Sequence, residues 1–376
     1  MKVAILQRVC TSYRVPLFQE LSTDKDIDFR LFIGRDVPKS KVKNAPDLKG
    51  INITKLKSVF IKLRGHFFPI HTNLIKKLYE FNPDVIICEG ESNFFGYLQA
   101  IFYKFLFNRE VKLVHWCFIA LPGEDLSKKR IIAHLKAFFR KFFNAFLVYS
   151  SYSKKRLLQI GGVDEDTIFV ATNVGDTETF INKSRQNLIN ASEARKIVNL
   201  RDQFTVLYVG TLDKNKKPEL IIELANKDEM KFVNFVILGT GDLYNQLLEN
   251  KFINNNVYIR GRVQDELSIY YKAASCLIIP GRGGIVISEA MSFGVPVIVH
   301  QADGTEYDLI TRDTGIILNN GDINEFLNSL IILNKDSELL NQLAINSVSL
   351  IENKYNTKNM SNNIKMAVKY VVNKNI

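Results

Sequence analysis

Short apolar runs alternate with helix-like stretches along the whole chain. In the first half the runs are "KVAILQ", "DFRLFIG", "DVIICEG", "VKLVHWCFIA", "FNAFLVYSS" and "TIFVATN". Between them "PLFQELS", "LIKKLYEF" and the stretch from Tyr97 to Leu106 repeat their apolar residues at helical spacing. The alternation starts again at Phe204, with "FTVLYVG", "VNFVILG", "NVYIRG", "CLIIPG", "VPVIVH" and "TGIILNNGD" separated by helical patterns such as "KPELIIELAN" and "ELSIYYKAA". Continuous apolar runs without strict alternation are expected of strands buried on both faces, and strands that alternate with helices predict a parallel sheet. The fold class is therefore α/β, with two Rossmann-like doubly wound units facing a cleft. The expected boundaries are residues 1–180 for the first domain, a polar linker at 181–203, and 204–352 for the second domain.

A length of 376 residues agrees with two domains. Hydrophobic residues at 46% and charged residues at 24% exclude a disordered or fibrous class. The first apolar run is broken by Gln7 and Arg8, and no later segment approaches ~18 uninterrupted apolar residues, so neither a signal peptide nor a spanning helix is expected. The expected location is cytoplasmic. Cys10, Cys88, Cys117 and Cys276 are scattered, without the spacing of a zinc site, and read as reduced core residues. Charge changes the picture more. Residues 1–185 carry 30 Lys and Arg against 18 Asp and Glu, a net +12, whereas the remainder carries 20 against 21. A basic half suits nucleic acid, an anionic membrane surface or an acidic substrate, or is simply a solvated surface.

Ligands of open parallel sheets bind outside the carboxyl ends of the strands. In the second half the loops there are Gly210–Lys217, Gly239–Asp242, Gly261–Val263 and Pro280–Gly284, each opening at or near a glycine. Glycine allows a close approach of backbone to ligand, and a helix N-terminus adds partial positive charge suited to phosphate.

The order "VGTLDKNKKPELII", "FVILGTGDLYNQLL", "NVYIRGRV", "YKAASCLIIPGRGGIVISEAMSFGVPVI" and "DTGIILNNGD" resembles the donor domain of GT-B glycosyltransferases, in particular the retaining family 4. The first half resembles the same family more loosely, through "QRVCTSYRVPLFQEL", "NPDVII" and "SYSKKRLLQIGGVDEDTIFVATNVGDTETF". The resemblance implies that Lys216 meets the donor diphosphate and that Glu289, the second glutamate of an E-x7-E pattern, grips the ribose hydroxyls. It implies that backbone amides of Gly283, Gly284, Ile285 and Val286 face the sugar and diphosphate. It also places Gly210, Thr211, Gly239 and Gly241 along the site, and Arg262 and Val263 near the base. No cofactor beyond the nucleotide-sugar substrate is implied, a UDP-sugar being favoured, and no metal. The last helix, 353–376, is expected to return to the first domain.

Two positions depart from the family. Gly281 stands where the first glutamate is usual, and Thr211 where an arginine is usual. Arg282 is the candidate for the missing positive charge, since arginine is well suited to phosphate. On the acceptor side, Arg14 lies in the first loop, and Glu89 and Glu91 in the "CEGE" turn are either acceptor-orienting carboxylates or solvated loop residues. His115 is either a catalytic histidine or a packed strand residue. The triplet Asp164, Glu165 and Asp166 sits in a helix-to-strand turn and is not read as a metal site. The basic, aromatic stretch 126–146 and the segment "ITKLKSVFIKLRGHFF" suit either an anionic inner-membrane surface or ordinary packing. A lipid-linked glycan acceptor, as in bacterial surface polysaccharide synthesis, follows from the first of these. Nucleic acid is not expected, because no motif for it accompanies the charge. Two rival readings stay open: a degenerate, non-catalytic subunit and a nucleotide-sugar epimerase of similar fold.

Overall fold

The computed structural model describes residues 1–40, 42–63, 66–90, 93–119, 121–124, 138–249, 254–374. These divide into two compact units, one of residues 1–120, 124–172 and 357–376, the other of residues 121–123 and 173–356.

The first unit is built on a parallel sheet of β1 (Lys2–Gln7), β2 (Asp28–Ile33), β3 (Ile53–Lys55), β6 (Val85–Glu89), β7 (Lys112–Cys117), β8 (Ala145–Val148) and β9 (Ile168–Val170), in the order β3-β2-β1-β6-β7-β8-β9. The remaining strands, β4 (Ser58–Leu63) and β5 (His66–His71), form a separate antiparallel hairpin. Each central strand reads as an apolar run because helices cover both faces; Val85, Ile86, Ile87 and Cys88 are fully buried. The helix Thr357–Asn373 packs on the helix Val15–Ser22 and on β7 to β9, and Lys365 joins Asp24 at 2.9 Å. The hairpin and β3 lie in the segment that the sequence pattern marked only as basic and aromatic.

In the second unit, β10 (Thr205–Val209), β11 (Asn234–Leu238), β12 (Val257–Gly261), β13 (Cys276–Ile279), β14 (Val297–Val299) and β15 (Gly315–Ile317) form a parallel sheet in the order β12-β11-β10-β13-β14-β15. The chain thus winds outward one way from β10 and the other way from β13. The stretch 181–203, expected as a linker, instead carries most of the helix Thr177–Gln186 and all of Ala191–Ile197, the latter opened by a capping box of Asn190 and Glu193. Both helices pack within the second unit, against Leu267–Ala273 among others. Polar composition suggested a linker, but one apolar stripe per helix suffices to seat it.

Candidate functional site

The strand order puts β10 beside β13, so the loops that follow these strands diverge at a topological switch point, where open sheets bind ligands. Backbone contacts lock the loops together. The amide of Arg282 donates to the carbonyl of Asn215 at 3.0 Å, and that of Leu212 to Thr240 at 3.1 Å. Glycines make this approach possible. A Cβ on Gly281 would lie 2.2 Å from the Asn215 oxygen, one on Gly239 would lie 1.8 Å from the Gly210 oxygen, and one on Gly241 would lie 2.3 Å from the Leu212 oxygen. Gly239 and Gly241 were expected to line a ligand; the space their missing side chains leave is filled by the neighbouring loop. The same geometry accounts for the absent glutamate, since Gly281 leaves no room for any side chain.

The locked loops carry charge to the switch point. Lys216 is half-buried, and its ammonium has no hydrogen bond or ion pair among the described residues. Burial holds its pKa below the usual lysine value; Asp213 and Asp303 oppose that shift, and the nearby Arg282 guanidinium adds to it. Arg282 itself is exposed. Directly after it, Gly284 (φ 152°) opens the helix Ile285–Ser292 with no side-chain cap. The amides of Ile285 and Val286 donate to no acceptor among the described residues. Two cations and an uncapped helix start thus converge on one place, which favours an anion. Thr211, at the head of the lysine loop, accepts from the Tyr208 hydroxyl at 2.9 Å through its carbonyl. Arg262 is exposed and Val263 half-buried after β12, the edge strand two places from β10, roughly 10 Å across the sheet.

Further along the same helix, Glu289 accepts a hydrogen bond from the Tyr271 hydroxyl at 3.2 Å. Tyr271 is fixed by stacking on Phe293 at 5.2 Å and by an edge contact with Phe180. Burial pushes the Glu289 carboxyl up to about 7, Tyr271 opposes the shift, and Asp176 adds to it. Gly175 leaves room here, because a Cβ on it would lie 2.8 Å from the Ile285 side chain, and its amide donates to Ser288 at 3.0 Å.

Two acidic residues escaped the sequence reading, Asp303 and Glu306, in the loop after β14. Glu306 is fully buried and folds that loop, accepting from the amides of Ala302 at 3.0 Å and Gly304 at 2.6 Å. Its carboxyl is still pushed upward by burial. The signal was available: "HQADGTE" also follows a strand and holds a glycine, as the four loops singled out do.

The first-unit candidates are placed differently. Arg14 is buried in an aromatic box, its guanidinium 5.3, 5.4 and 5.2 Å from the rings of Tyr13, Trp116 and Tyr149, and donates to Met360 at 3.3 Å. Glu89 accepts the backbone amide of Arg8, tying β6 to the end of β1. His115 stacks on Phe143 with ring centroids 4.7 Å apart and lies 5.8 Å from Tyr97, the geometry of a packed strand residue. Glu91 lies outside the described residues. Asp166 and Glu165 are engaged with Tyr370 at 2.9 Å and Lys154 at 2.9 Å.

The family model "Glycosyl transferases group 1" matches residues 190–349. The second unit carries a group 1 glycosyltransferase domain. The chain as a whole has the GT-B fold: it matches the crystal structure of Anabaena HepE in complex with UDP with a TM-score of 0.73, at 16% identity, over 98% of this chain and 100% of that one. A Klebsiella pneumoniae protein described as an uncharacterized 41.2 kDa protein in the cps region is 24% identical over 73% of each chain. The Escherichia coli UDP-Gal:alpha-D-GlcNAc-diphosphoundecaprenol alpha-1,3-galactosyltransferase is 27% identical over 66% of each. The chain therefore has distant relatives named for capsule and lipid-linked glycan synthesis.

Proposed function

We propose that this glycosyltransferase moves a sugar, with retention at the anomeric carbon, from a UDP-sugar to a lipid-linked glycan acceptor in the building of a bacterial surface polysaccharide. The observation that carries the reading is the partnerless, half-buried ammonium of Lys216 beside Arg282 and an uncapped helix start. A nucleoside diphosphate supplies the anion this arrangement lacks. Lys216 and Arg282 offset charge on the diphosphate as the bond from the anomeric carbon to phosphate breaks, and the amides of Ile285 and Val286 receive its oxygens. Glu289 accepts from the ribose hydroxyls, and the base lies towards Arg262 and Val263. The acceptor oxygen forms the new bond on the face the phosphate leaves, and its proton passes to the departing phosphate oxygen. The UDP bound to HepE supports the choice of nucleotide.

The first test is a thermal shift of the full chain with UDP, GDP, CMP and dTDP. A ligand that binds only the folded state at 100 times its Kd stabilises it by about 2.7 kcal/mol, so the expected result is a rise of several degrees with UDP. No rise with any of the four rejects the donor site and turns attention to a degenerate, non-catalytic subunit.

A surface of the first unit supports the lipid-linked acceptor. On the helix Phe94–Leu106, Phe102, Phe105 and Leu106 are 54%, 50% and 62% exposed, and Phe138 is 53% exposed. The Phe105 ring meets Phe142 at 5.6 Å, which joins the two segments into one aromatic patch. Arg109, Lys112, Arg140 and Lys141 lie in the same stretches of chain. Residues 126–137 of the basic stretch lie outside the described residues. Exposed aromatics among basic residues suit an anionic bilayer interface, each cation near it adding ~1 kcal/mol. Among the described residues no helix is long and apolar enough to cross a membrane. Flotation with phosphatidylglycerol vesicles is expected to recover the protein, phosphatidylcholine vesicles much less, and Phe102→Glu/Phe105→Glu to lower the recovery at least tenfold. Equal flotation of the variant, or self-association without vesicle binding, rejects the patch as a membrane contact.

A further inference from the structure

Asp303 holds a free carboxylate oxygen at the edge of the anion site. Its Oδ1 accepts from the amide of Thr305 at 3.1 Å and from the Thr305 hydroxyl at 2.5 Å. Its Oδ2 accepts from no other residue among those described. That oxygen lies against Gly284: a Cβ there would be 2.4 Å from it. The carboxylate therefore borders the start of the helix Ile285–Ser292, where Arg282 and Lys216 converge. Lys216 feels its charge, yet the two form no ion pair within 4.0 Å among the described residues. Cation and carboxylate are held apart.

A ligand that satisfies both must bring an anion to Lys216 and Arg282 and, next to it, a hydrogen-bond donor for Asp303. Inorganic phosphate carries its P–OH donor on the anion itself, so its charge would be repelled on the Asp303 side. A nucleoside diphosphate joined to a polyol carries both groups in sequence. We infer that Asp303 is a specificity-determining residue, accepting a hydrogen bond from a hydroxyl of the transferred sugar. The inference rests on the donor-site reading above and adds the residue that recognises the sugar rather than the nucleotide. No carboxylate can do this from position 281, where the Asn215 carbonyl occupies the space of a Cβ. Asp303 reaches the same helix start from the neighbouring strand.

Asp303→Asn keeps an oxygen for Thr305 and replaces the free acceptor with an amide donor. A hydrogen bond to a charged group contributes a factor of roughly 10 to 100 in affinity. The test is calorimetric titration of the wild type, Asp303→Asn and Thr305→Val with UDP, UDP-glucose, UDP-galactose and UDP-N-acetylglucosamine. In the wild type one sugar nucleotide is expected to bind more tightly than the others. Asp303→Asn is expected to weaken that sugar nucleotide roughly 10- to 100-fold while UDP stays within about twofold or tightens. Thr305→Val, which removes a partner of Oδ1 only, is expected to lower Tm and keep the sugar preference. An Asp303→Asn profile equal to wild type overturns the inference alone. So does a loss of UDP and sugar nucleotides in equal measure, or the same loss of preference in Thr305→Val, since each describes a structural strut. Wild-type protein that binds no uridine nucleotide overturns the donor reading and this inference with it.

Discussion

Lys216→Ala is expected to lower kcat/KM by about 10²- to 10³-fold, the cost of removing one preorganised charge from a site where negative charge develops. The same substitution is expected to leave Tm unchanged or raise it. In the ligand-free protein the ammonium is half-buried without a partner, burial holds its pKa below the usual value, and its charged form is therefore a cost to the fold. Activity and stability should thus move apart, which a lysine that merely supports the loop would not produce. Lys216→Arg is expected to recover only part of the activity, because a planar fork does not occupy the position of a compact ammonium. Activity of the alanine variant within threefold of wild type, or a parallel drop in Tm, contradicts the assignment. Steady-state kinetics with the donor and a thermal melt of the same preparations decide it.

Glu289→Gln is expected to stabilise the ligand-free protein at alkaline pH and to weaken UDP. The carboxyl titrates at about 7 in the folded chain against an ordinary value of 4.5. Its folded pKa is raised, so its favourable contribution is fully present below 4.5 and is lost as pH rises through 7. Above 7 the wild type holds a buried carboxylate at a cost of about 3 kcal/mol, taken as an upper figure. Glutamine carries no such cost at any pH. Melting curves of the two proteins should therefore coincide near pH 4.5, separate between 4.5 and 7, and stay apart by several degrees at pH 8. Binding runs the other way. A neutral amide or a protonated carboxyl is a poorer acceptor for two hydroxyls, so UDP affinity should fall in the variant at pH 8, and in the wild type as pH drops below 7. Melting curves that stay parallel across this range would falsify the buried-carboxylate account, and unchanged UDP affinity would remove Glu289 from the nucleotide site. A residue that costs stability while empty and returns it on binding is what a binding role predicts.

Much of the molecule could be read before any coordinates. The strands β1, β6, β10, β11, β13 and β14 appear as apolar runs because a parallel strand covered on both faces has no polar side to show. Loops that open on glycine after such strands pointed to the ends of β10 and β13, the family resemblance singled out Lys216 and Glu289 there, and the packed Cys88 and Cys276 agree with the reading of core thiols.

Other features depended on which distant segments meet. Gly239, Gly241 and Gly281 look alike in the sequence to a phosphate-binding glycine, and only the pairing of β10 with β11 and β13 brings the carbonyls of residues 210, 212 and 215 into the space a Cβ would need. Arg14 looked available for an acceptor until Trp116, Tyr149 and Met360, far from it in sequence, closed around it. His115 gave a strand pattern but not the Phe143 ring that stacks on it. Asp303 had no motif, because its importance comes from facing Gly284 and Lys216 from a third strand. The hydrophobic pattern alone determined the class of fold and the ends of the strands where chemistry gathers, since burial is imprinted residue by residue along the chain. Strand order and loop contact decided which of those side chains are free to meet a ligand, because a residue's partners across a parallel sheet lie tens of residues away and leave no local mark.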